Sequence, residues 1–233
     1  GIPGLKAQLK VEDFQTLDKS VSDQDRPYAR LPQFLLNYKT GNPLGLQYEF
    51  NHDTAYFKKD ISDASNGTST TFEPSGTRIY NDFAVRYNYR NPWSFVIPEV
   101  SIRNINTFYD QDTINSNQNT NSSDEKQSVT VPQFTLDTGL TFEKDGKYLQ
   151  TLTPRAFYAY APYRNQTGHP NFDSATASIN YDQLFSARRF YGHDRLEDNN
   201  FLTLGLSYSL FDEIGLERLK AGIGQSYYFE DRR

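Results

Sequence analysis

The residues of this 233-residue chain best suited to chemistry are charged and lie close together near its C-terminal end. Asp182, Arg188, Arg189, Asp194 and Arg195 fall within fourteen positions, among Phe172, Ile179, Tyr181, Leu184, Phe185, Phe190 and Tyr191. Charges mixed with aromatics in that way suit a segment that folds onto a surface and is fixed there by ion pairs. They do not suit bond-breaking chemistry. The three histidines, His52, His169 and His193, have no partner at metal-ligand spacing. There is no G-x-S-x-G elbow and no glycine loop that could cradle a phosphate. His193 and Asp194 are adjacent, and adjacent loop residues seldom face each other, so a hydrolase pair is the weaker reading. Cysteine is absent, which removes thiolate chemistry and disulfides from this stretch. The acidic, Asn-rich run 110–125 has the oxygen donors of a calcium site, but a solvated loop is the stronger reading. The sequons at Asn66, Asn121 and Asn165 carry no weight without a secretory context. No catalytic residue, metal site or cofactor is expected.

What must position these groups is a set of strands. Mean hydropathy is low, at -0.75, and no run approaches the roughly 20 apolar residues of a spanning helix. Yet the chain holds 17 Tyr and 17 Phe, too many for a disordered polar chain. Period-2 alternation supplies the explanation. Leu202, Leu204, Leu206, Tyr208 and Leu210 oppose Thr203, Gly205, Ser207 and Ser209. Phe134, Leu136 and Leu140 oppose Gln133, Thr135 and Asp137. The pattern predicts nine strands, at 4–13, 27–39, 43–57, 77–90, 94–109, 128–144, 147–162, 200–211 and 215–229. The net charge of -5 with both signs scattered leaves no basic stripe for nucleic acid.

Short turns rich in Gly, Pro, Asn and Asp alternate with long polar segments, as in outer-membrane barrels. Tyr38, Tyr87, Tyr89, Trp93, Phe95, Phe142, Tyr148 and Phe211 cluster near the short turns and read as an interfacial girdle. The strands have the length that crosses a bilayer. Their polar faces carry full charges: Lys10, Glu49, Arg86, Asp137 and Arg155 are the candidates to line a hydrated lumen. The fold class is therefore all-β, an antiparallel transmembrane barrel. Nine is an odd number, so the chain reads as part of a larger barrel that would not close alone. Four strands carry a proline, Pro32, Pro98, Pro132 and Pro154, each read as a bulge that sets curvature. The loop 163–199 is too long to be an idle connection.

The wording of 170–207, PNFDSATASINYDQLFSARRFYGHDRLEDNNFLTLGLS, and of 217–233, ERLKAGIGQSYYFEDRR, closely resembles the LptD (Imp/OstA) family of lipopolysaccharide-assembly barrels. NYDQLF, RF-x-G-x-DR and Q-x-YYFEDRR are specific, and VEDFQTLD, PYARLPQFLLNY and YAPYRNQ are weaker echoes. His193 stands where the family wording has a small residue. The resemblance implies a middle portion of a very large barrel in the outer membrane of a Gram-negative bacterium. It implies a lumen plugged by the lipoprotein LptE, lipopolysaccharide delivered along a periplasmic bridge, and assembly by the BAM insertion machinery. It implies transport without enzymatic turnover. The rival reading is a passive outer-membrane porin.

Overall fold

The computed structural model describes residues 2–15, 17–18, 20–21, 25–59, 75–110 and 126–232. The calcium candidate, 110–125, lies outside them apart from Asp110, as do the sequons at Asn66 and Asn121. Among the described residues no helix is long and apolar enough to cross a membrane.

The strands are β1 (Leu5–Glu12), β2 (Ala29–Gly41), β3 (Leu46–Lys58), β4 (Gly76–Tyr87), β5 (Tyr89–Asn91), β6 (Ser94–Tyr109), β7 (Lys126–Leu140), β8 (Phe142–Lys144), β9 (Leu149–Ala161), β10 (Ala175–Thr176), β11 (Phe190–Tyr191), β12 (Asn199–Phe211) and β13 (Glu217–Tyr228). All but β10 and β11 form one antiparallel sheet, ordered β1-β2-β3-β4-β6-β7-β9-β12-β13, with β5 on β6 and β8 on β9. β5 continues the path of β4 and β8 that of β7. The sheet is thus an open meander in which each path pairs with its neighbours in the chain. The fold class expected from alternation is what the structure contains: all-β, antiparallel and not closed within the described residues.

Two of the short turns are built alike, and their residues say why. The Asn42 side-chain oxygen accepts from the N–H groups of Leu44 and Leu46, both at 3.1 Å, and Gly45 has φ +90°. The Asp212 carboxylate accepts from Ile214 at 3.1 Å and Leu216 at 2.9 Å, and Gly215 has φ +81°. An Asx side chain closes each turn, and a glycine three positions on takes the left-handed conformation that other residues avoid.

The prolines behave differently from expectation. Only Pro32 sits at a register shift, between Arg30 and Gln33 on both of its ladders' neighbouring pairs. Opposite Pro98 the pairing stops after Arg86–Glu99 and resumes at Tyr89–Val96 in unchanged register. Opposite Pro154 it stops after Gly139–Arg155 and resumes at Phe142–Leu152, again unshifted. Near Pro132 the β7–β9 ladder ends at Phe134–Tyr160. A proline has no N–H to give, so it opens a gap in one ladder. A gap does not require the extra residue that defines a bulge. The bulge reading is corrected for Pro98, Pro132 and Pro154.

The two sheet faces differ in kind. One face carries Leu9, Phe34, Phe83, Val100, Ile102, Phe134, Leu204, Leu206 and Ile223, all exposed. The other, called inner below, carries Gln33, Asp53, Arg78, Asp82, Arg103, Gln133 and Thr203, all buried. Of the aromatics clustered near the turns, Tyr87, Tyr89, Trp93, Phe142 and Tyr148 are exposed. Phe95 departs from that group: Arg155 lies over its ring, on the inner face.

Candidate functional site

Burying Asp53, Arg78, Asp82 and Arg103 on the inner face demands partners, and the segment 163–199 supplies them. It holds little regular structure: β10 pairs with β11, and a 3-10 turn spans Asp182–Phe185. It crosses the inner face from β2 to β13 and is held along the way by three apolar anchors and several ion pairs.

At the β2–β4 end, Phe172 packs with Tyr28, Ala55 and Phe57 and lies parallel to the Phe57 ring at 4.5 Å. Beside it Arg78, 1% exposed, bonds three carboxylates. It reaches Asp173 at 2.5 Å, Asp194 at 2.6 Å and Asp53 at 3.5 Å. Arg30 adds a second cation, 3.2 Å from Asp173 and 2.8 Å from Glu12. The other Asp194 oxygen accepts from the backbone N–H groups of Phe172 at 3.0 Å and Asp173 at 2.7 Å. His193 lies parallel to the Tyr80 ring at 4.0 Å and is 3.0 Å from Asp53. Gly192, with φ +78°, makes room: a Cβ there would come within 2.6 Å of the Asp173 carbonyl oxygen. Burial pushes both loop carboxyls up. For Asp194 that effect prevails, whereas hydrogen bonding to Arg78 and its charge pull Asp173 well below the usual carboxylate range.

In the middle, Leu196 joins Tyr80, Ile105, Val129, Val131 and Ala161. Glu197 pairs with the buried Arg103, which also donates to Gln133. Glu197 further accepts from the Arg189 backbone N–H at 3.0 Å. Arg188 reaches Asp82 at 2.8 Å.

At the β12–β13 end the chemistry changes. Phe185 and Ala187 pack with Phe157, Ala159 and Phe201, with Tyr181 and Leu184 alongside. Here the sheet is paved with glycine. A Cβ at Gly205 would overlap the Phe185 ring, one at Gly222 would stand 2.9 Å from Tyr181, and one at Gly224 3.0 Å from Leu184. Thr203 donates to the Leu184 carbonyl at 2.8 Å.

Towards the short turns the loop ends and the inner face opens into two hollows. One, about 630 Å³, is lined among others by Lys6, Asn37, Glu49, Asp82, Arg86 and Arg188. The other, about 370 Å³, is lined among others by Arg90, Asp137, Phe185 and Ala187 and shares Arg86, Glu99 and Arg188. The five strand charges singled out above share this face. Arg155 forks onto Asp137 with two bonds of 2.8 Å, and Arg86 reaches Glu99 at 2.7 Å. Glu49 lies 3.6 Å from Lys39, and Lys10 4.0 Å from Glu12.

The structure brings together only part of the loop's expected ion-pair set. Asp194 and Arg188 do bridge loop to sheet. Arg189 instead pairs with Asp198, a neighbour in sequence, at 3.6 Å. Arg195 donates to the carbonyls of Pro170 and Asp194, at 2.9 and 3.0 Å. Asp182 is exposed at the start of the 3-10 turn and makes no ion pair among the described residues. The groups that were missed are Arg30, Asp53, Arg78, Arg103, Asp173 and Glu197. Strand parity contained a signal for Arg78, which alternates with Asp82 and Arg86.

A family model described as "LPS transport system D" matches residues 3–233. The chain belongs to the LptD family. It is 75% identical to the LPS-assembly protein LptD of Acinetobacter baylyi over 232 residues, covering 100% of this chain and 28% of that protein. It is equally similar, at 75% over 233 residues, to the LPS-assembly protein LptD of Acinetobacter baumannii, with coverage of 100% and 28%. The LPS-assembly protein LptD of Psychrobacter cryohalolentis is 40% identical, over 98% of this chain and 24% of that protein. The chain thus spans about a quarter of the length of these curated relatives. The wording that resembled the LptD family coincides with the anchors. NYDQLF (180–185) is the turn seated on the glycines, and RF-x-G-x-DR (189–195) contributes Gly192 and Asp194 to the Arg78 cluster.

Proposed function

We propose that this chain is part of the wall of the lipopolysaccharide translocon, the barrel that inserts lipopolysaccharide into the outer leaflet of the Gram-negative outer membrane. One observation carries the reading. A sheet from a chain of the LptD family has an exposed apolar face and, opposite it, a charged face covered by its own loop. The apolar face suits lipid. The inner face, which carries Lys10, Glu49, Arg86, Asp137 and Arg155, suits a hydrated lumen, and its hollows leave Glu49, Arg86 and Asp137 available to a plug lipoprotein, LptE. The loop fixed across the inner face narrows the path on the side away from the short turns, which favours guided transfer over free diffusion. The role read here is transport and assembly without turnover, in keeping with relatives named as LPS-assembly proteins. The rest of such a protein would receive lipopolysaccharide from the periplasmic bridge, and BAM would insert the barrel.

The test is site-specific photocrosslinking in the full-length protein in cells. A crosslinker at Glu49, Arg86 or Asp137 should capture a small lipoprotein. One at Val100 or Leu204 should not. Equal capture from both faces, or capture only from the outward pair, would overturn the assignment of faces.

A further inference from the structure

The loop 163–199 sorts its charges. Its acids Asp173, Asp194 and Glu197 turn to the sheet and are spent on Arg30, Arg78 and Arg103. Three of its arginines, Arg164, Arg189 and Arg195, line a third hollow of about 590 Å³. Every residue lining that hollow belongs to the loop itself, and none is acidic. Neutral bonds join its walls. Gln166 and Leu196 exchange two, at 2.7 and 2.8 Å, and Ala175 and Thr176 pair with Tyr191 and Phe190. The arginines keep most of their five N–H donors. Both Arg195 bonds, to the Pro170 and Asp194 carbonyls, leave from one terminal nitrogen. Its other terminal nitrogen and its Nε make no bond among the described residues. Arg164 gives a single bond, 3.4 Å long, to the Tyr163 carbonyl. Arg189 lies 4.6 Å over the Phe190 ring with Asp198 at 3.6 Å, and its buried Nε has no partner among the described residues.

We propose that this hollow binds a phosphate monoester carried on a sugar. Guanidinium groups with unspent N–H donors suit phosphate oxygens, which they can grip two at a time. The charge favours phosphate over carboxylate. A carboxylate would bring one negative charge to three cations, whereas a phosphate monoester brings nearly two and three acceptor oxygens. Neutral groups in the same hollow suit the sugar. Asn171 accepts from the Ser174 N–H and keeps its NH2 group, and the Ser174 oxygen accepts from the Asp194 N–H and keeps its own O–H. Because the walls are already joined, little ordering remains to be done on binding. A free sugar phosphate and the headgroup of a phosphorylated glycolipid present the same chemistry to the site. The site stands on the loop alone and not on which sheet face meets lipid, so its failure would leave the reading of the wall intact.

Full-length protein with its natural partners, in detergent, is titrated by calorimetry with glucosamine 6-phosphate and with glucosamine. The phosphorylated sugar should bind, and the bare sugar should bind at least roughly tenfold more weakly. Arg164→Gln should weaken glucosamine 6-phosphate by roughly tenfold, as expected for the loss of a charge-assisted contact. Arg164 is exposed and bonds only its neighbour's carbonyl, so protease cleavage of the loop should be unchanged in that variant. Arg195→Gln should weaken binding further. Competition then separates the two sources. Displacement by a phosphorylated glucosamine disaccharide lipid but not by its dephosphorylated form, at a lower concentration than inorganic phosphate needs, supports the site and assigns it to a headgroup. Displacement by inorganic phosphate as readily as by the lipid supports the site and assigns it to soluble phosphate. Equal binding of the two sugars, no binding of either, or wild-type affinity in Arg164→Gln would overturn the proposal.

Discussion

The loop 163–199 is held by opposite chemistries at its two ends. Over β2–β4 it is tied by a buried arginine and several carboxylates. Over β12–β13 it is seated by aromatic rings on a glycine pavement, with the Arg155 guanidinium 4.3 Å over the Phe185 ring and no ion pair from the rings themselves. The difference is one of tolerance. Packed rings can shift and refill when one contact is lost. Buried charges cannot, because each desolvated carboxylate depends on the cation beside it. The charged end should therefore act as an all-or-none latch and the glycine end as an adjustable seat.

The largest effect is expected at the latch. Arg78→Met would leave Asp53, Asp173 and Asp194 buried without their shared cation. Breaking one side of a buried pair costs about 3–5 kcal/mol. The loop should detach at its β2–β4 end, and limited proteolysis of the folded full-length protein should cut near 170–195 far faster than in the wild type. Arg78→Lys keeps the charge but cannot reach several oxygens at once, so it should lie between the two. If the Met variant resists protease as the wild type does, the latch is not what holds the loop.

A smaller effect is expected at the seat. Gly205→Val puts side-chain atoms where the Phe185 ring now lies, and overpacking of this kind typically costs about 1–3 kcal/mol. Because the seat is adjustable, Phe185→Ala in the same chain should recover part of that loss. Thermal unfolding of the detergent-solubilised protein reads both. A double variant less stable than the sum of the singles would mean the glycine end is as unforgiving as the charged end.

These two ends differed in legibility as well. The strand alternation that fixes the fold class is local, and Leu202 to Leu210 shows it within nine residues. The turn glycines, Gly45 and Gly215, are local too. The latch is not. Arg78 meets Asp173 across 95 residues and Asp194 across 116, and no spacing rule connects positions so far apart. Parity could place Arg78 on the inner face but could not choose its partners. Asp182 illustrates the converse. Its neighbours made it look like a member of the network, yet the 3-10 turn carries it to the surface. The prolines were legible as missing donors, but which ladder each would interrupt depended on a register known only from the sheet.

The smallest effect separates the two ends by pH. His169 is buried beside β6, 3.4 Å from the Thr107 hydroxyl, in the part of the loop that leads to the latch. Burial first, and then the positive charge of Arg195, push its pKa down to about 4 from the ordinary 6.5. A folded-state pKa below the unfolded value means that the unfolded loop takes the proton more readily. The stabilisation is therefore complete above about pH 6.5 and falls away as the pH drops from there towards 4. For one proton the ceiling is about tenfold per pH unit in the opening equilibrium. Protease cleavage near 163–172 should rise between pH 7 and pH 5.5, while cleavage near 181–187, over the glycines, should change less. His169→Gln should flatten the first response and leave the second alone. A pH response that persists in that variant would move the sensitivity elsewhere in the charged end. One that is equal at both sites would mean that the loop opens as a single unit, and the distinction between latch and seat would then fail.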